Sequence, residues 1–280
     1  MNTNRRHFFK TVGLGAVGML STTSGASQVK EGGKHVLYDG QPSFRKLREE
    51  AKITDKVLLS FEGLRVTDVH DGLDQVGLRD QFMDTDIRPI FPGITICGRA
   101  LTSRYIQSSE TVPMVTRDKY RNEFMKKWAR NKVGYPAFKF AKPGDILVTD
   151  CSDTKVGLWG SNVSLSAAKL GILGYITNGA TRDVNELRIQ NTPVFCKYIA
   201  VPRTMGRLEH AESNVTITCG GVKVSPGDII VADDDGIVVV PAGVAEEVAS
   251  IGREYLKEDI GQRRAKYIQL GMPLDDTVQL

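Results

Sequence analysis

The 280-residue chain has few of the residues that build zinc sites. It has four histidines and four cysteines, and the cysteines (Cys97, Cys151, Cys196 and Cys219) form no Cys-x-x-Cys motif and have no pair of histidines nearby. A zinc site is therefore not indicated. Each cysteine lies in or beside an apolar run that is typical of a strand, so we expect buried thiols, although an oxidising compartment would permit them to pair.

Excess positive charge is also nearly absent once the N-terminus is set aside. The formal net charge is +4, but residues 1–26 contain Arg5, Arg6 and Lys10 and no acid, so these residues carry three of the four net charges. A nucleic-acid site would need a clustered basic surface, and the net charge of +1 that remains gives no argument for one. We expect no nucleic-acid partner.

The N-terminal segment resembles a twin-arginine signal peptide. Arg5 and Arg6 precede Phe8 and Phe9, Lys10 closes the basic region, and a short Gly-rich apolar stretch ends in the small residues 24–26. That stretch is too short to span a bilayer as a helix, and an amphipathic helix with two adjacent arginines is the alternative. We expect cleavage near residue 26, export through the twin-arginine route to the periplasm, and no stable membrane anchor afterwards.

The rest of the chain has the composition of a globular protein, with 41% hydrophobic and 25% charged residues. Short Ile- and Val-rich runs alternate with helical patterns between residues 144 and 202, which predicts βαβ units and a mainly parallel sheet. "KPGDILV" and "SPGDIIV" indicate two equivalent turn–strand junctions. The stretch 213–240 predicts antiparallel hairpins with Asp234, Asp235 and Gly236 in a tight turn. The stretch 117–140 is charged and predicted to be helical, and residues 242–271 predict one or two helices.

Candidate site residues follow two neighbouring predicted strands. The strand "ILGYIT" is predicted to end at Thr177, so "NGAT" begins a loop that contains Arg182 and Asp183. In that loop an Arg could bind a substrate carboxylate and an Asp a divalent cation. Gly160, Ser161 and Asn162 begin the preceding predicted helix. Two such loops would meet in one cleft. The structural alternative is that Asp183 caps its own helix, together with the acid three residues later, and pairs with Arg182.

These motifs carry a resemblance to a known family. The combination of "WGSNVSLSAAKLGILGYITNGATRDVNEL" with "SPGDIIVADDDGIVVVP" resembles the RraA-like family, which includes the 4-hydroxy-4-methyl-2-oxoglutarate aldolases, over about residues 60–270. The resemblance implies an α/β fold of the swivelling β/β/α type. It divides the chain into a signal peptide (1–26), an N-terminal extension (27–55), an RraA-like domain (56–270) and a C-terminal tail (271–280).

The resemblance also implies a site and an assembly. In the aldolase branch, the residue at the position of Asp183 holds Mg²⁺ or Mn²⁺, and the residue at the position of Arg182 binds the keto acid. Backbone N–H groups at positions 160–163 (Gly160 to Val163) bind the carboxylate of the keto acid. The family's assembly implies a homotrimer or homohexamer. An acid from the C-terminal helix of the neighbouring subunit contacts the waters on the metal, and Glu258 and Asp259 are nearest to its position in this sequence. Ser161 departs from the usual acid at its position, and Asp153 could replace that acid. The stretch from about 117 to 140 is longer than in short aldolases, which leaves substrate identity open.

Two other sets of residues are weaker candidates for an acid–base or metal-binding role. His70 is of the residue type that titrates near neutrality, but a single histidine more often serves packing or capping. Asp233, Asp234 and Asp235 lack the twelve-residue loop and the closing Glu of an EF-hand, so a turn is the better interpretation.

Two functions therefore follow as hypotheses. The first is a metal-dependent carbon–carbon lyase, a class II-type aldolase or decarboxylase, acting on a small α-keto acid such as 4-hydroxy-4-methyl-2-oxoglutarate or oxaloacetate through a metal-stabilised pyruvate enolate. The second is a non-catalytic trimeric binding or regulatory protein, as in the branch that regulates an RNA-degrading enzyme. The presence of Asp183 and the expected export favour the enzyme.

Overall fold

A computed structural model describes residues 53–279. The predicted signal peptide, and almost all of the predicted extension, lie outside these residues. The helices are α1 Lys56–Ser60, α2 Val66–Gln75, α3 Ser161–Ala168, α4 Val184–Ile189 and α5 Ala245–Gln269. The strands are β1 Arg88–Pro89, β2 Ile96–Gln107, β3 Asp145–Asp150, β4 Gly157–Trp159, β5 Gly174–Thr181, β6 Val194–Ile199, β7 Leu208–Ser213, β8 Ile217–Cys219, β9 Val222–Val224, β10 Ile229–Ala232 and β11 Ile237–Val240.

Three 3₁₀ turns and one irregular helical segment complete the elements in this part of the chain. The 3₁₀ turns are Pro136–Phe140, Ala242–Val244 and Asp276–Val278. The helical segment 117–133 alternates α-helical turns (Arg117–Lys119 and Met125–Trp128) with π-helical turns (Tyr120–Phe124 and Ala129–Val133). The prediction of a helical excursion before the core resumes is confirmed. Within residues 53–279, no helix is both long and apolar enough to cross a bilayer.

A curled sheet forms the centre of the fold, with the strand order β1-β6-β5-β3-β2-β10-β11 and with β4 beside β5 and β7 beside β2. The pairs β2–β3, β3–β5 and β5–β6 are parallel, while β10 pairs antiparallel with both β2 and β11. The predicted α/β fold, with βαβ units followed by antiparallel hairpins, is confirmed. The hairpin β8–β9 forms a separate two-stranded sheet.

The strand β5 is longer than its apolar pattern predicts. The apolar run ends at Thr177, but the strand continues through Thr181, and every residue in it is buried. Residues 178–181 (Asn-Gly-Ala-Thr) stay in the strand because Ala180 and Thr181 pair with β6 on one side and with β4 on the other. The interpretation of "NGAT" as the start of a loop is therefore wrong.

The two turn–strand junctions are equivalent, as predicted. In each, the Asp that follows Pro-Gly accepts a hydrogen bond from the backbone N–H three residues earlier, at 2.8 Å for Asp145 and 2.7 Å for Asp228. Gly144 and Gly227 have φ values of 97° and 89°, which side chains rarely tolerate. The strands that follow, β3 and β10, lie on opposite sides of β2.

The aspartate-rich turn between β10 and β11 is structural, as predicted. Asp233 accepts a hydrogen bond from the N–H of Val66 (3.0 Å), at the first residue of α2, and Asp234 accepts from the N–H of Gly93 (2.8 Å). Burial raises the pKa of Asp233. The carboxylates therefore join the hairpin to earlier parts of the chain.

The C-terminal helix α5 is a single helix of 25 residues that packs against α2. Glycines allow the two helices to approach closely, because a Cβ on Gly72 would lie 2.8 Å from the carbonyl oxygen of Val248, and one on Gly252 would lie 3.0 Å from that of Asp68. Val248 is fully buried. The stretch 242–271, predicted to form one or two helices, thus contains a single long helix.

The helical segment 117–133 is fixed to the sheet by a second apolar cluster, which includes Tyr105, Trp128, Val133, Leu158 and Met205. The hydroxyl of Tyr105 donates to the carbonyl of Val133 (3.1 Å). Salt bridges from Lys132 to Glu110 (2.6 Å) and Glu209 (3.3 Å) hold the end of the segment. The segment therefore forms a fixed wall beside β4.

The four cysteines are buried and unpaired, as expected. Burial raises the pKa of each thiol, to about 12 for Cys151 and to about 11 for Cys196. Because the thiolate is the reactive form, these thiols serve as small apolar side chains.

Candidate active site at the ends of β4 and β5

The two predicted loops meet because β4 and β5 are neighbouring parallel strands. Trp159 is in register with Thr181, so the residues that follow each strand leave the sheet side by side. The N–H of Arg182 donates to the carbonyl of Trp159 (3.0 Å) and holds the two strand ends together. Parallel strands present their carboxyl ends on one edge of the sheet, which is where ligands bind in open α/β folds.

The carboxylate of Asp183 joins the two loops and does not cap its own helix. Its Oδ2 accepts hydrogen bonds from the N–H (3.2 Å) and the hydroxyl (3.3 Å) of Ser161, and its Oδ1 accepts from Nε of Arg182 (3.2 Å). No side-chain cap forms at α4, so the proposed capping box with Glu186 is wrong. The pairing with Arg182 is observed. Asp183 has a left-handed backbone (φ 58°), which Asp adopts more readily than most residues.

Two glycines make this approach of the loops possible. A Cβ on Gly160 would lie 2.5 Å from Oδ2 of Asp183, and one on Gly157 would lie 3.0 Å from the Cγ and Cδ of Arg182. Both distances are too short for a side chain to be added without movement of the neighbour. Alanine at position 160 would displace the Asp183 carboxylate, and alanine at position 157 would press on both Arg182 and the carbonyl oxygen of Ala200.

A cavity of about 280 Å³ opens in front of this pair. One wall consists of Gly160, Asn162 and Val163 from the start of α3 together with Arg182 and Asp183. The facing wall comes from the helical segment and the chain after β6, with Met125, Trp128, Ala129, Val133, Tyr135, Arg203, Thr204 and Met205. Of the acids between residues 53 and 279, Asp183 alone lines the cavity.

The first turn of α3 leaves backbone donors at the cavity. The N–H of Ser161 is taken by Asp183, whereas the N–H groups of Asn162 and Val163 have no hydrogen-bond partner among residues 53–279. Unpaired N–H groups and the helix dipole favour an anion at this end of a helix. Asn162 and Val163 are therefore available to a substrate carboxylate, and Ser161 instead orients Asp183.

The other acids predicted near a metal lie away from this cavity within one chain. Asp153 pairs with Lys197 (2.9 Å), Asp259 pairs with Arg65 (2.8 Å), and Glu258 accepts a hydrogen bond from Gln262 (3.0 Å). Between residues 53 and 279, no three His, Cys, Asp or Glu side chains form a group that could hold a metal ion. A contribution of Asp259 or Glu258 from a neighbouring subunit remains a prediction.

Asp183 by itself fits a magnesium-like ion. Mg²⁺ usually keeps several waters and is held by one or two carboxylates together with substrate oxygens. The Asp183 side chain is 31% exposed at the cavity, and its hydrogen-bond donors hold it in one orientation. A single oriented carboxylate is a sufficient protein contribution for such an ion, but not for zinc, which takes several protein ligands.

His70 and Tyr135 have structural contacts. His70 packs edge-on against Phe82, with ring centroids 5.5 Å apart, and its Nε2 lies 3.2 Å from the carbonyl oxygen of Arg79. It lies outside the cavity and serves packing, as predicted for a single histidine. The Tyr135 hydroxyl donates to the carbonyl of Leu158, and burial raises its pKa. It therefore stays protonated and supports β4.

Sequence reasoning missed three residues at the site: Gly157, Trp128 and Arg203. The pair of glycines in "GLWG" was a usable signal for Gly157, since both flank one strand that precedes a helix. Trp128 and Arg203 had no such signal. They reach the cavity only because the helical segment and the chain after β6 pack beside β4.

Comparison with known proteins gives matches over the same part of the chain. A family model described as RraA-like, Aldolase/RraA, matches residues 66–239. A protein of Halalkalibacterium halodurans named "Putative 4-hydroxy-4-methyl-2-oxoglutarate aldolase" is 38% identical over 128 residues. The match covers 45% of this chain and 60% of that protein, so this chain spans less than two thirds of the relative's length.

Solved structures match the fold. An uncharacterized protein of Pseudomonas syringae pv. tomato has a TM-score of 0.62 and 24% identity over 81% of this chain and 98% of that one. Streptomyces coelicolor RraAS2, described as an unusual member of the RNase ES inhibitor RraA protein family, has a TM-score of 0.63 and 23% identity over 75% of this chain and 98% of that one. At these identities the two matches establish the fold alone.

Proposed function

Because the chain belongs to the RraA-like family, we propose that it is a divalent-metal-dependent carbon–carbon lyase acting on a small α-keto acid. Retro-aldol cleavage of a compound such as 4-hydroxy-4-methyl-2-oxoglutarate, or decarboxylation of oxaloacetate, is the reaction. The observation that carries this proposal is the Asp183 carboxylate, which faces the cavity while Ser161 and Arg182 hold it in place.

The residues around the cavity have separate roles in this proposal. The N–H groups of Asn162 and Val163 and the guanidinium of Arg182 bind the carboxylate of the keto acid. Asp183 holds Mg²⁺ or Mn²⁺, which when bound supplies Lewis-acid polarisation of the keto oxygen. Ser161 and Gly160 keep Asp183 in position, one by hydrogen bonds and the other by leaving room for the carboxylate.

Cleavage leaves an electron pair that the site has to accommodate. In a retro-aldol step the C4 hydroxyl gives its proton to solvent water and becomes a carbonyl as the C3–C4 bond breaks, and the electron pair stays on the pyruvate fragment, which then takes a proton from water at C3. In decarboxylation the bond to the departing carboxylate supplies that pair. Arg182 holds the fragment in one orientation throughout, and such positioning is a large part of enzymatic rate enhancement.

Assembly and location complete the proposal. We infer a homotrimer or homohexamer in which Asp259 or Glu258 of a neighbouring copy approaches the site. Residues 1–26 act as a twin-arginine signal peptide, and the mature protein works in the periplasm. We also propose that the RraA-like domain spans residues 56–270, with an N-terminal extension before it and a C-terminal tail after it.

A non-catalytic regulatory role is the second candidate, because the description of the matching family model covers RraA as well as aldolases. The contacts of Asp183 favour the lyase. A left-handed aspartate that accepts three hydrogen bonds beside a cavity has no need to be there in a surface that only binds another protein.

The deciding experiment is Asp183→Asn. Asn tolerates the left-handed backbone as well as Asp does, so we expect a folded variant that has lost metal affinity in calorimetry with Mn²⁺ and has lost pyruvate release. Arg182→Lys keeps the charge but not the planar guanidinium, so it should raise KM for the keto acid while Mn²⁺ affinity stays near wild type. Glu186→Gln is the matched control and should change neither. An Asp183→Asn variant with wild-type metal affinity and turnover would rule out the lyase proposal.

A further inference from the structure

The outer face of the helical segment 117–133 concentrates positive charge. Seven cations and two acids give this segment a formal net charge of +5. Residues 27–280 as a whole have a net charge of +1, so the rest of that stretch carries −4. Six of the seven cations are exposed and form the outer face, namely Arg117, Lys119, Arg121, Lys126, Lys127 and Arg130. The small net charge of the chain therefore conceals a local basic surface.

The cations of the outer face have no partners of their own. Lys132 is the seventh cation, and it is held by Glu110 and Glu209. No ion pair or side-chain hydrogen bond joins the six exposed cations to any residue between 53 and 279. Of the two acids, Asp118 accepts a hydrogen bond from the amide of Asn122. The six charges are therefore available to an anionic partner.

The segment presents these charges from a fixed position. Its inner face is anchored by Trp128, which is buried beside Phe124 with ring centroids 6.2 Å apart. At the end of the segment, the hydroxyl of Tyr105 donates to the carbonyl of Val133 (3.1 Å). A surface that is ordered before it binds does not lose conformational entropy in becoming ordered. The outer face is therefore ready to bind as it stands.

An exposed apolar loop leads into the segment. Residues 111–115 have the sequence Thr-Val-Pro-Met-Val. The Met114 side chain is fully exposed, and Val112 is exposed as well. Arg117 and Lys119 follow within five positions of Met114. Basic side chains next to exposed apolar ones are typical of segments that lie on a membrane surface.

The chemistry of this surface favours a bilayer over other anionic macromolecules. Lysine is depleted in protein–protein interfaces, whereas aromatic side chains are enriched there, and three of the six exposed cations are lysines. Single-stranded nucleic acid is bound by stacking of bases on aromatic rings, but Phe124 and Trp128 pack inward. A bilayer with anionic lipid requires only clustered cations and a few apolar side chains that enter the interface.

We propose that the outer face of segment 117–133, with Met114 at its edge, docks on a membrane surface that carries anionic phospholipid. The cations contact the headgroup phosphates, and Met114 enters the interface. The proposal goes beyond the lyase and does not depend on it, because none of these side chains binds the keto acid or the metal. The inner face of the same segment lines the cavity, so docking brings the candidate active site to the membrane surface.

The test measures partitioning of the mature protein, residues 27–280, onto vesicles by sedimentation. One set of vesicles contains phosphatidylglycerol and phosphatidylcholine in equal parts, and the other contains phosphatidylcholine alone. We expect sedimentation with the first set only. Binding should weaken as the salt concentration is raised, because salt screens exposed charges.

Two variants with the same net charge test the location of the surface. The first replaces three exposed lysines of the outer face (Lys119→Gln, Lys126→Gln and Lys127→Gln). Each cation near an anionic bilayer is worth about fivefold in affinity, so this variant should bind about 100-fold more weakly. The matched control replaces three exposed lysines elsewhere (Lys169→Gln, Lys223→Gln and Lys266→Gln) and should bind as wild type does. Thermal unfolding checks that both variants fold.

Met114→Trp tests whether the loop enters the interface. The two native tryptophans, Trp128 and Trp159, are buried, so the added indole is the exposed one among the described residues. Its emission should shift to shorter wavelength with the phosphatidylglycerol vesicles and stay unchanged with phosphatidylcholine alone.

Several results would overturn the proposal. They are equal or absent binding to the two sets of vesicles, equal losses in the two lysine variants, and unchanged emission of Met114→Trp. Tighter binding of wild type to a DNA duplex than to vesicles would assign the outer face to nucleic acid. A lower mass of the outer-face variant in light scattering would assign it to a neighbouring copy of the chain. Either result would also overturn the proposal. Pyruvate release enters none of these measurements, so failure here and failure of the lyase proposal are distinguishable.

Discussion

Gly160→Ala tests whether the geometry around Asp183 matters for function. The backbone of Gly160 is extended (φ −164°), so alanine adopts it without strain. The added Cβ would lie 2.5 Å from Oδ2 of Asp183, whereas real Cβ atoms essentially never approach closer than 3.0 Å. The carboxylate has to retreat by about 0.5 Å to reach even that limit, and by about 1 Å to reach ordinary van der Waals contact.

The displacement of the Asp183 carboxylate should lower activity more than it lowers stability. It weakens the two hydrogen bonds that Oδ2 accepts from Ser161. Each is worth about 1 kcal/mol net, so the free energy of unfolding should fall by about 1–2 kcal/mol and Tm by a few degrees. A displacement of about 1 Å in a catalytic group can cost about 100-fold in rate. We therefore expect kcat/KM to fall by about 100-fold.

The assay measures pyruvate release with Mg²⁺, Mn²⁺ affinity by calorimetry and thermal unfolding, on one preparation. Gly243→Ala is the matched control, because a Cβ there would meet nothing within 4 Å, and it should behave as wild type in all three measurements. A Gly160→Ala variant that keeps wild-type turnover and metal affinity would refute the reasoning, since it would show that the position of Asp183 is irrelevant.

Three further predictions concern export, assembly and acid stability. Replacing Arg5 and Arg6 by Lys should leave precursor in the cytoplasm, and unchanged export would contradict the twin-arginine proposal. Light scattering on the active mature protein should give the mass of three or six subunits, and an active monomer would exclude a shared site. Desolvation lowers the pKa of His210, so its contribution to stability is full above the unfolded-state pKa and is lost as the pH falls through the folded-state pKa. Tm should accordingly fall less between pH 7.5 and pH 5 in His210→Gln than in wild type, and equal falls would count against this role.

The parts of the fold that the sequence predicts are those determined by nearby residues. The Pro-Gly-Asp junctions are local turns in which Asp145 and Asp228 bond to the backbone three residues earlier, so they could be predicted. The extension of β5 through Thr181 depends on pairing with β4 and β6. No local pattern encodes that pairing, so the strand was predicted to end too early.

The same distinction applies to the site. Arg182 and Asp183 were found because a strand followed by a helix is visible in the sequence. Their pairing was predicted correctly, whereas the capping of α4 by Asp183 was not. Its left-handed backbone and the donors of Ser161 direct the carboxylate to the neighbouring loop and away from its own helix. Trp128 and Arg203 meet only through tertiary packing, which spacing along the chain does not report.

The position of β2 in the sheet has a consequence for folding. Its neighbour β10 comes late in the chain, and Arg99 of β2 donates to the carbonyl of Gly227, which is 128 positions away. Until residue 232 has been synthesised, the first part of β2 (Ile96–Arg99) therefore has no partner strand on one side, whereas β7 can already pair with its second part (Ser103–Gln107). Contacts of such sequence separation form slowly, and an unpaired strand edge is a template for aggregation. A chain truncated before β10 should accumulate as insoluble material and not as a smaller folded protein.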